Sequence, residues 1–233
     1  NVTATAKAYS NTLSAALSAI KNFDEGNKII TLVDDYTITG TEILPEGVKF
    51  VVSEDAQLTI SGALTVAGEF DVNSALALSG TLTINSNEAE ISSIRISNNG
   101  TLAVNGELEL NGALTVDDGN VTVNGTLKQS GVLSVGDNTV TVNANGRLVL
   151  DGTLNIGNGG TVIANGTIEN NGSIVLASAE QMNDIATLDV NQAMTGNGDI
   201  SLGKRATASF PDGQFLSGEV TIADEAVITG SSE

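Results

Sequence analysis

The chain contains no cysteine, no histidine and no tryptophan. Without Cys there is no disulfide and no thiolate metal site, and redox compartment leaves no mark on the sequence. Without His, the usual general base and the commonest metal ligand are missing. Aromatic residues make up only 3% of the chain. A core for 233 residues must therefore be aliphatic, and the 40% hydrophobic content supplies it. Proline is nearly absent at 2, whereas 26 Gly permit many tight turns. Positive charge is scarce too: 9 Lys and Arg stand against 28 Asp and Glu, for a net charge of -19. Such a surface repels phosphate, so nucleic acid is not an expected partner. It equally disfavours anionic membranes. The charge keeps the chain soluble until cations or low pH neutralise it. No apolar run is long enough for membrane insertion. The first residue is Asn1 rather than Met, which reads as an exported chain that has lost a leader.

What is present is a repeat. Leu64-Thr-Val-Ala67, Leu82-Thr-Ile-Asn85, Leu102-Ala-Val-Asn105, Val121-Thr-Val-Asn124, Val140-Thr-Val-Asn143, Val162-Ile-Ala-Asn165 and Leu188-Asp-Val-Asn191 begin, by subtraction, 18, 20, 19, 19, 22 and 26 positions apart. A unit of about nineteen residues cannot bury its own apolar face, so each copy must stack on its neighbours. Within the repeat the basic word is apolar-x-apolar followed by a polar or Gly pair. Leu58-Thr-Ile60, Leu64-Thr-Val66, Phe70-Asp-Val72, Leu76-Ala-Leu78 and Leu82-Thr-Ile84 are five successive examples. Period-two alternation sends the two apolar residues inward and the middle residue outward. Leu102, Leu108 and Leu114 open three words of one coil, and Val121, Leu127 and Leu133 those of the next. That rhythm predicts three sides with one longer corner, although a two-sided arch has the same period.

The expected fold is all-β: a single-stranded parallel β-solenoid (β-helix or β-arch stack) of about eight to nine coils of roughly 19 residues, with a short N-terminal helix. Residues 1–28 read as capping helix and entry, and residues 29–233 as solenoid that loosens after about 177. The helix is expected over residues 4–21, where Tyr9, Leu13, Ala16, Leu17 and Ile20 recur at helical spacing. Thr3 or Thr5 would cap its start, and Gly26 lies beyond its end. At the other terminus, Val220-Thr-Ile222 and Val227-Ile228-Thr229 read as final strands with an unblocked edge, a candidate assembly surface.

In a stack with coils in register, Asn85, Asn105, Asn124, Asn143, Asn165 and Asn191 form a column whose amides bond in a ladder. Asn is also a good turn residue before Gly, so the column is structural on either account. Sequons occur at Asn1, Asn99, Asn120, Asn124, Asn165 and Asn171. Asn99, Asn120 and Asn171, placed at expected corners, are the candidates for glycosylation. Outward Thr residues (Thr59, Thr65, Thr83, Thr115, Thr122, Thr141) are interrupted by Asp71, Glu109, Lys128 and by Val149, Ile163 and Val175, so they read as β-formers rather than an ice-binding grid. Asp34-Asp35 and Asp117-Asp118-Gly119 have the oxygen chemistry for calcium but lack the full nonapeptide repeat of calcium-binding β-rolls. Asp71, Glu107, Glu109 and Glu169 are outward carboxylates, yet nothing singles out a glycosidase pair among them. No catalytic residue, metal or cofactor is expected.

The segments Asp34-Asp35-Tyr36-Thr-Ile-Thr-Gly40 and Leu44-Pro-Glu-Gly-Val48, with the Leu-x-Val-x-Gly words from Leu58 to Leu176, resemble the adhesin-like β-solenoid surface proteins of bacteria and methanogenic archaea. In style the chain is similar to the amyloid-like sheath proteins of some methanogens. The resemblance implies a structural or adhesive role at the cell surface and carries over no catalytic residue. The expected function is an extracellular structural protein that self-assembles into a sheath, fibre or surface array through solenoid edges or faces. Its partners would be copies of itself, with other cell-surface proteins or glycans beside them. The alternative is an adhesin stalk or ligand-binding module, and a polysaccharide-active β-helix enzyme ranks below both.

Overall fold

The computed structural model describes residues 13–20, 28–67, 69–73, 75–78, 81–84, 93–96, 100–181, 184–214 and 216–230. A helix, α1 (Leu13–Ile20), precedes the strands. The first coil is β1 (Lys28–Leu32), β2 (Tyr36–Ile38) and β3 (Thr41–Leu44); the second is β4 (Val48–Val52), β5 (Gln57–Ile60) and β6 (Ala63–Val66). The third is β7 (Glu69–Val72), β8 (Ala75–Leu78) and β9 (Thr81–Ile84); the fourth is β10 (Ser93–Ile96), β11 (Gly100–Val104) and β12 (Glu107–Leu110). The fifth is β13 (Ala113–Val116), β14 (Gly119–Val123) and β15 (Thr126–Gln129); the sixth is β16 (Val132–Val135), β17 (Thr139–Val142) and β18 (Arg147–Leu150). The seventh is β19 (Thr153–Ile156), β20 (Thr161–Ala164) and β21 (Thr167–Asn170). Three two-strand coils follow: β22 (Ser173–Leu176) with β23 (Thr187–Val190), β24 (Asp199–Leu202) with β25 (Thr207–Ser209), and β26 (Val220–Ile222) with β27 (Val227–Thr229).

Like strands stack into three parallel sheets. Among the described residues the first and second faces have 10 strands each and the third has 7. Nine steps separate the first strand of a ten-strand face from the last, in keeping with the expected eight to nine coils. The first face aligns Leu114, Leu133, Leu154, Ile174 and Ile200. The second aligns Leu76, Leu102, Val121, Val140, Val162 and Leu188. The third aligns Leu64, Leu82, Leu108, Leu127, Leu148 and Ile168. These inward residues are buried, and their outward neighbours with described side chains are half-buried or exposed, except Val149, which is buried. Phe50 and Phe70 lie in register on the first face with rings stacked, centroids 5.3 Å apart.

The register corrects one grouping of words. Leu64 and Leu82 belong to the third face, aligned with Leu108, whereas Leu102 and the later members belong to the second. Eight residues, 85–92, separate β9 from β10, where the matching corner between β12 and β13 has two. The excess of six is one word long. It shifts the phase by one face without disturbing the apparent period. In the sequence Asn85 follows a third-face strand, β9; its own position lies outside the described residues, as do those of Tyr9, Thr3, Thr5, Gly26 and Asn99.

Corners explain much of the glycine. Gly131, Gly152 and Gly172 follow one another at the corner that leads into the first face, and Gly218 belongs to the same column two coils later. A Cβ on any of them would sit 1.9–2.1 Å from the carbonyl oxygen of the glycine one coil earlier. Side chains are excluded there by the stacked backbone itself.

The described part of the helix buries Leu13, Ala16, Leu17 and Ile20, the predicted apolar face, in the same core as the first coil. The Leu13 backbone N–H donates to the Tyr36 hydroxyl at 3.2 Å. The third face stops at Asn170. Beyond it the chain makes one isolated bridge, Glu169 to Thr195, and turns through Gly196 at φ 96°.

Candidate functional site

The corner between the second and third faces carries the asparagine column. The Asn124 side-chain amide donates to Asn105 Oδ1 at 2.7 Å, and that of Asn143 to Asn124 Oδ1 at 2.6 Å. Asn191 likewise donates to Asn165 Oδ1 at 3.1 Å. The ladder breaks between Asn143 and Asn165. After β17 the corner runs through Asn143, Ala144, Asn145 and Gly146, where neighbouring coils use a two-residue Asn-Gly corner. Five of the six predicted members are thus placed at one corner, in two bonded runs. Asn105, Asn124, Asn165 and Asn191 are exposed and Asn143 is half-buried. Exposed amide bonds of this kind contribute about 0.5–1 kcal/mol each. Their chemistry is hydrogen bonding, since a side-chain amide neither gains nor loses a proton near neutrality.

Charge is distributed unevenly around the coil. The corner between first and second faces carries exposed carboxylates in most coils: Asp34 and Asp35, Glu54 and Asp55, Asp117 and Asp118, Asp137, Glu180 and Asp184, Asp224 and Glu225. Lys204 and Arg205 interrupt it near the end, where both contact Glu225. Asp35 accepts the Gln57 backbone N–H at 2.8 Å, and Asp117 pairs with Arg95. Among the described residues no group of three or more acidic side chains converges as a metal site would require. The asparagine corner, by contrast, carries no ionisable residue in any coil from Thr39 to Ala193.

The outward carboxylates considered for catalysis are dispersed. Asp71 lies on the first face, 2.5 Å from Lys49 Nζ, while Glu69 is 3.2 Å from the same nitrogen. These two acceptors, Asp71 above all, raise the Lys49 pKa above its ordinary value. Glu107, Glu109 and Glu169 are on the third face, with Glu109 and Glu169 three strands apart, about 14 Å. Glu169 accepts from Asn171 at 3.2 Å and from Arg147 at 2.5 Å, and these two donors, the amide first, hold its carboxyl below the usual range.

The sequons separate. Asn120 is not at a corner, as expected, but is the second residue of β14, exposed on the outer surface of the second face. Asn171 is at a corner, with its amide donated to Asp151 at 3.0 Å and to Glu169. Asn124 and Asn165 are exposed and engaged in the ladder. At the far end of the stack, β26 and β27 pair with β24 and β25 and have no second strand neighbour among the described residues. Ile222 is 53% and Val227 46% exposed there, with Val220 and Ile228 half-buried.

Two polar residues escaped the sequence reading. Gln129 and Asn170 occupy inward positions of the third face and are fully buried. Each donates its amide once, Gln129 to Gly112 O at 3.0 Å and Asn170 to Asp199 O at 3.2 Å. Each leaves its side-chain oxygen without a partner. The signal was present as broken words, Leu127-Lys-Gln129 and Ile168-Glu-Asn170.

Comparison with protein-family models, with curated proteins and with solved structures finds no match.

Proposed function

We propose that the chain is a structural protein of the cell exterior that joins with copies of itself into a sheath, fibre or surface array. The observation that carries this reading is the pair of strand edges at β26 and β27, which have no second strand neighbour among the described residues and are flanked by the exposed side chains of Ile222 and Val227. A row of free backbone N–H and C=O groups is a template for another strand. The aliphatic core and the even-stepped backbone support the same role, since a stack of identical layers extends by the interactions that hold it together. Placement outside the cell rests on the acidic, Cys-free composition and on the resemblance to surface solenoids.

Electron microscopy and light scattering of the chain over a range of concentration, pH and calcium test the reading. Particles larger than dimers are expected on neutralisation, and they should shrink to dimers or monomers in an Ile222→Lys/Val227→Lys variant. Large particles unaffected by that variant, or none under any condition, contradict growth through this edge.

A further inference from the structure

The second face is the one on which the solenoid can meet itself. Its outward positions form two rows along the stack, one through Thr101, Asn120, Thr139 and Thr161, the other including Thr122 and Thr141. From β5 to β20 neither row contains an ionisable side chain. The first face presents Lys49, Glu69, Asp71 and Arg95, and the third Glu107, Glu109, Lys128, Arg147 and Glu169. In a chain of net charge -19, a charge-free strip is where a like-charged copy can approach without burying carboxylates, which would be costly.

The two borders of the strip fix the orientation. One is the acidic corner and the other the asparagine corner, whose side chains carry N–H donors and no charge. Two copies packed face to face can be related by a two-fold axis along the strands or along the stack. The first arrangement sets acidic corner against acidic corner. The second keeps the solenoids parallel and sets each acidic corner beside the partner's asparagine corner. We propose that a second copy of this chain docks on the second face in this parallel arrangement. The proposal rests on the self-association reading and names its lateral contact. Six strands, β5 to β20, at about 4.8 Å and four residues at about 3.3 Å give a strip of roughly 29 by 13 Å. That is on the order of 400 Å² per copy, about half the approximately 800 Å² of a standard interface. The dimer is accordingly weak and forms over a concentration range accessible to sedimentation.

Sedimentation equilibrium of the full chain from about 1 μM to about 1 mM tests this. The weight-average mass should rise from 23.6 kDa toward twice that value. Added salt or pH near 4 should move the midpoint at least tenfold lower in concentration, because both weaken carboxylate repulsion. Thr122→Glu/Thr141→Glu should hold the chain monomeric, while Thr115→Glu/Ser134→Glu, on the first face, should dimerise as wild type does. Mixing Thr122→Glu/Thr141→Glu with Asn120→Lys/Thr139→Lys should restore doubling, since the parallel arrangement opposes one row to the other. Mixing it with Thr122→Lys/Thr141→Lys should restore much less. A monomer under all conditions, equal sensitivity to the first-face pair, or the reverse order of rescue overturns the proposal. Ile222→Lys/Val227→Lys must leave the doubling intact. Loss of large particles alone in that variant bears on growth through the edge, and loss of doubling in it overturns the face contact.

Discussion

The coils from β11 to β21 and those from β22 to β27 obey one stacking rule with different success. In the earlier region each coil has three strands, and the inward positions are Leu, Val or Ile except at Gly100, Gly119, Gln129, Ala164 and Asn170. In the later region each coil has two strands. Inward or corner sites hold Ala186, Ala206 and Ala208, with Met194 and Phe210 filling irregular space. Two non-glycine residues there, Arg205 and Glu225, adopt φ of 64° and 62°. Gly159, in the corresponding corner of the seventh coil, has φ 76°. The later coils use side chains where the earlier one uses glycine, and Arg205 and Glu225 are held by a 2.5 Å ion pair. The comparison teaches that the stack is specified by three local features together: apolar inward pairs, a small residue where corner backbones touch, and a corner of constant length. Loss of any one costs a strand or a bond, as at Asn170 and at the long corner after β17.

The largest effect that would break this comparison is a side chain placed in the glycine column. Gly152→Ala should destabilise by about 3 kcal/mol or more, because the new Cβ meets a backbone oxygen at 2.0 Å that cannot move without its coil. Gly213→Ala, in the later region at φ 75° with no atom within 4 Å, should cost only about 1 kcal/mol. Urea denaturation of both measures the difference, and equal losses would show that corner contact is not the cause.

Core truncation comes next. Leu148→Ala, fully buried at mid-stack, should cost about 3 kcal/mol. Ile228→Ala, half-buried in the last coil, should cost under about 1 kcal/mol.

The buried amide of Gln129 offers an effect of opposite sign. Its register neighbours are Leu110 and Leu150, and Gly112 O keeps the Val132 N–H as donor at 3.2 Å. Gln129→Leu removes a buried oxygen without a partner and should stabilise by about 1 kcal/mol, read as a higher Tm.

The smallest effect is in the pH dependence. Glu169 and Glu225 are both held below the ordinary carboxylate range, Glu169 by Asn171 and then Arg147, and Glu225 by Arg205. A depressed folded-state pKa contributes stability above the unfolded value and loses it as pH falls through the folded one. Glu169→Gln and Glu225→Gln should therefore each lower stability slightly from neutral to alkaline pH and leave it unchanged at pH below the folded-state value, so that the acid limb of the profile becomes flatter. A loss of the same size at every pH, or one confined to the acid end, would contradict the assignment.

Much of this was legible in the sequence. The apolar-x-apolar word gave strand, inward face and parallel stacking together, and the Asn of β11, β14 and β17 corners marked one edge of the coil. Phase was not legible, since all three faces use the same word and an insertion one word long at 85–92 passes for regular repetition. The glycine column was visible only as turn residues, because its reason is a contact between coils nineteen or more residues apart. Segregation of charge between the two borders of the second face appears only once corners are assigned. The helix face of Leu13, Ala16, Leu17 and Ile20 was readable from spacing alone.

The central claim is that successive coils lie in register, directly above one another. With no native Cys, a cysteine pair reports this without background. Thr115 and Ser134 are register partners on the first face, at a separation within disulfide reach. Free-thiol titration of dilute Thr115→Cys/Ser134→Cys after mild oxidation should fall to zero within the monomer. Thr115→Cys/Thr122→Cys, close in sequence but on adjacent faces, should keep both thiols. Cross-linking of the second pair with none of the first would contradict the stacked register.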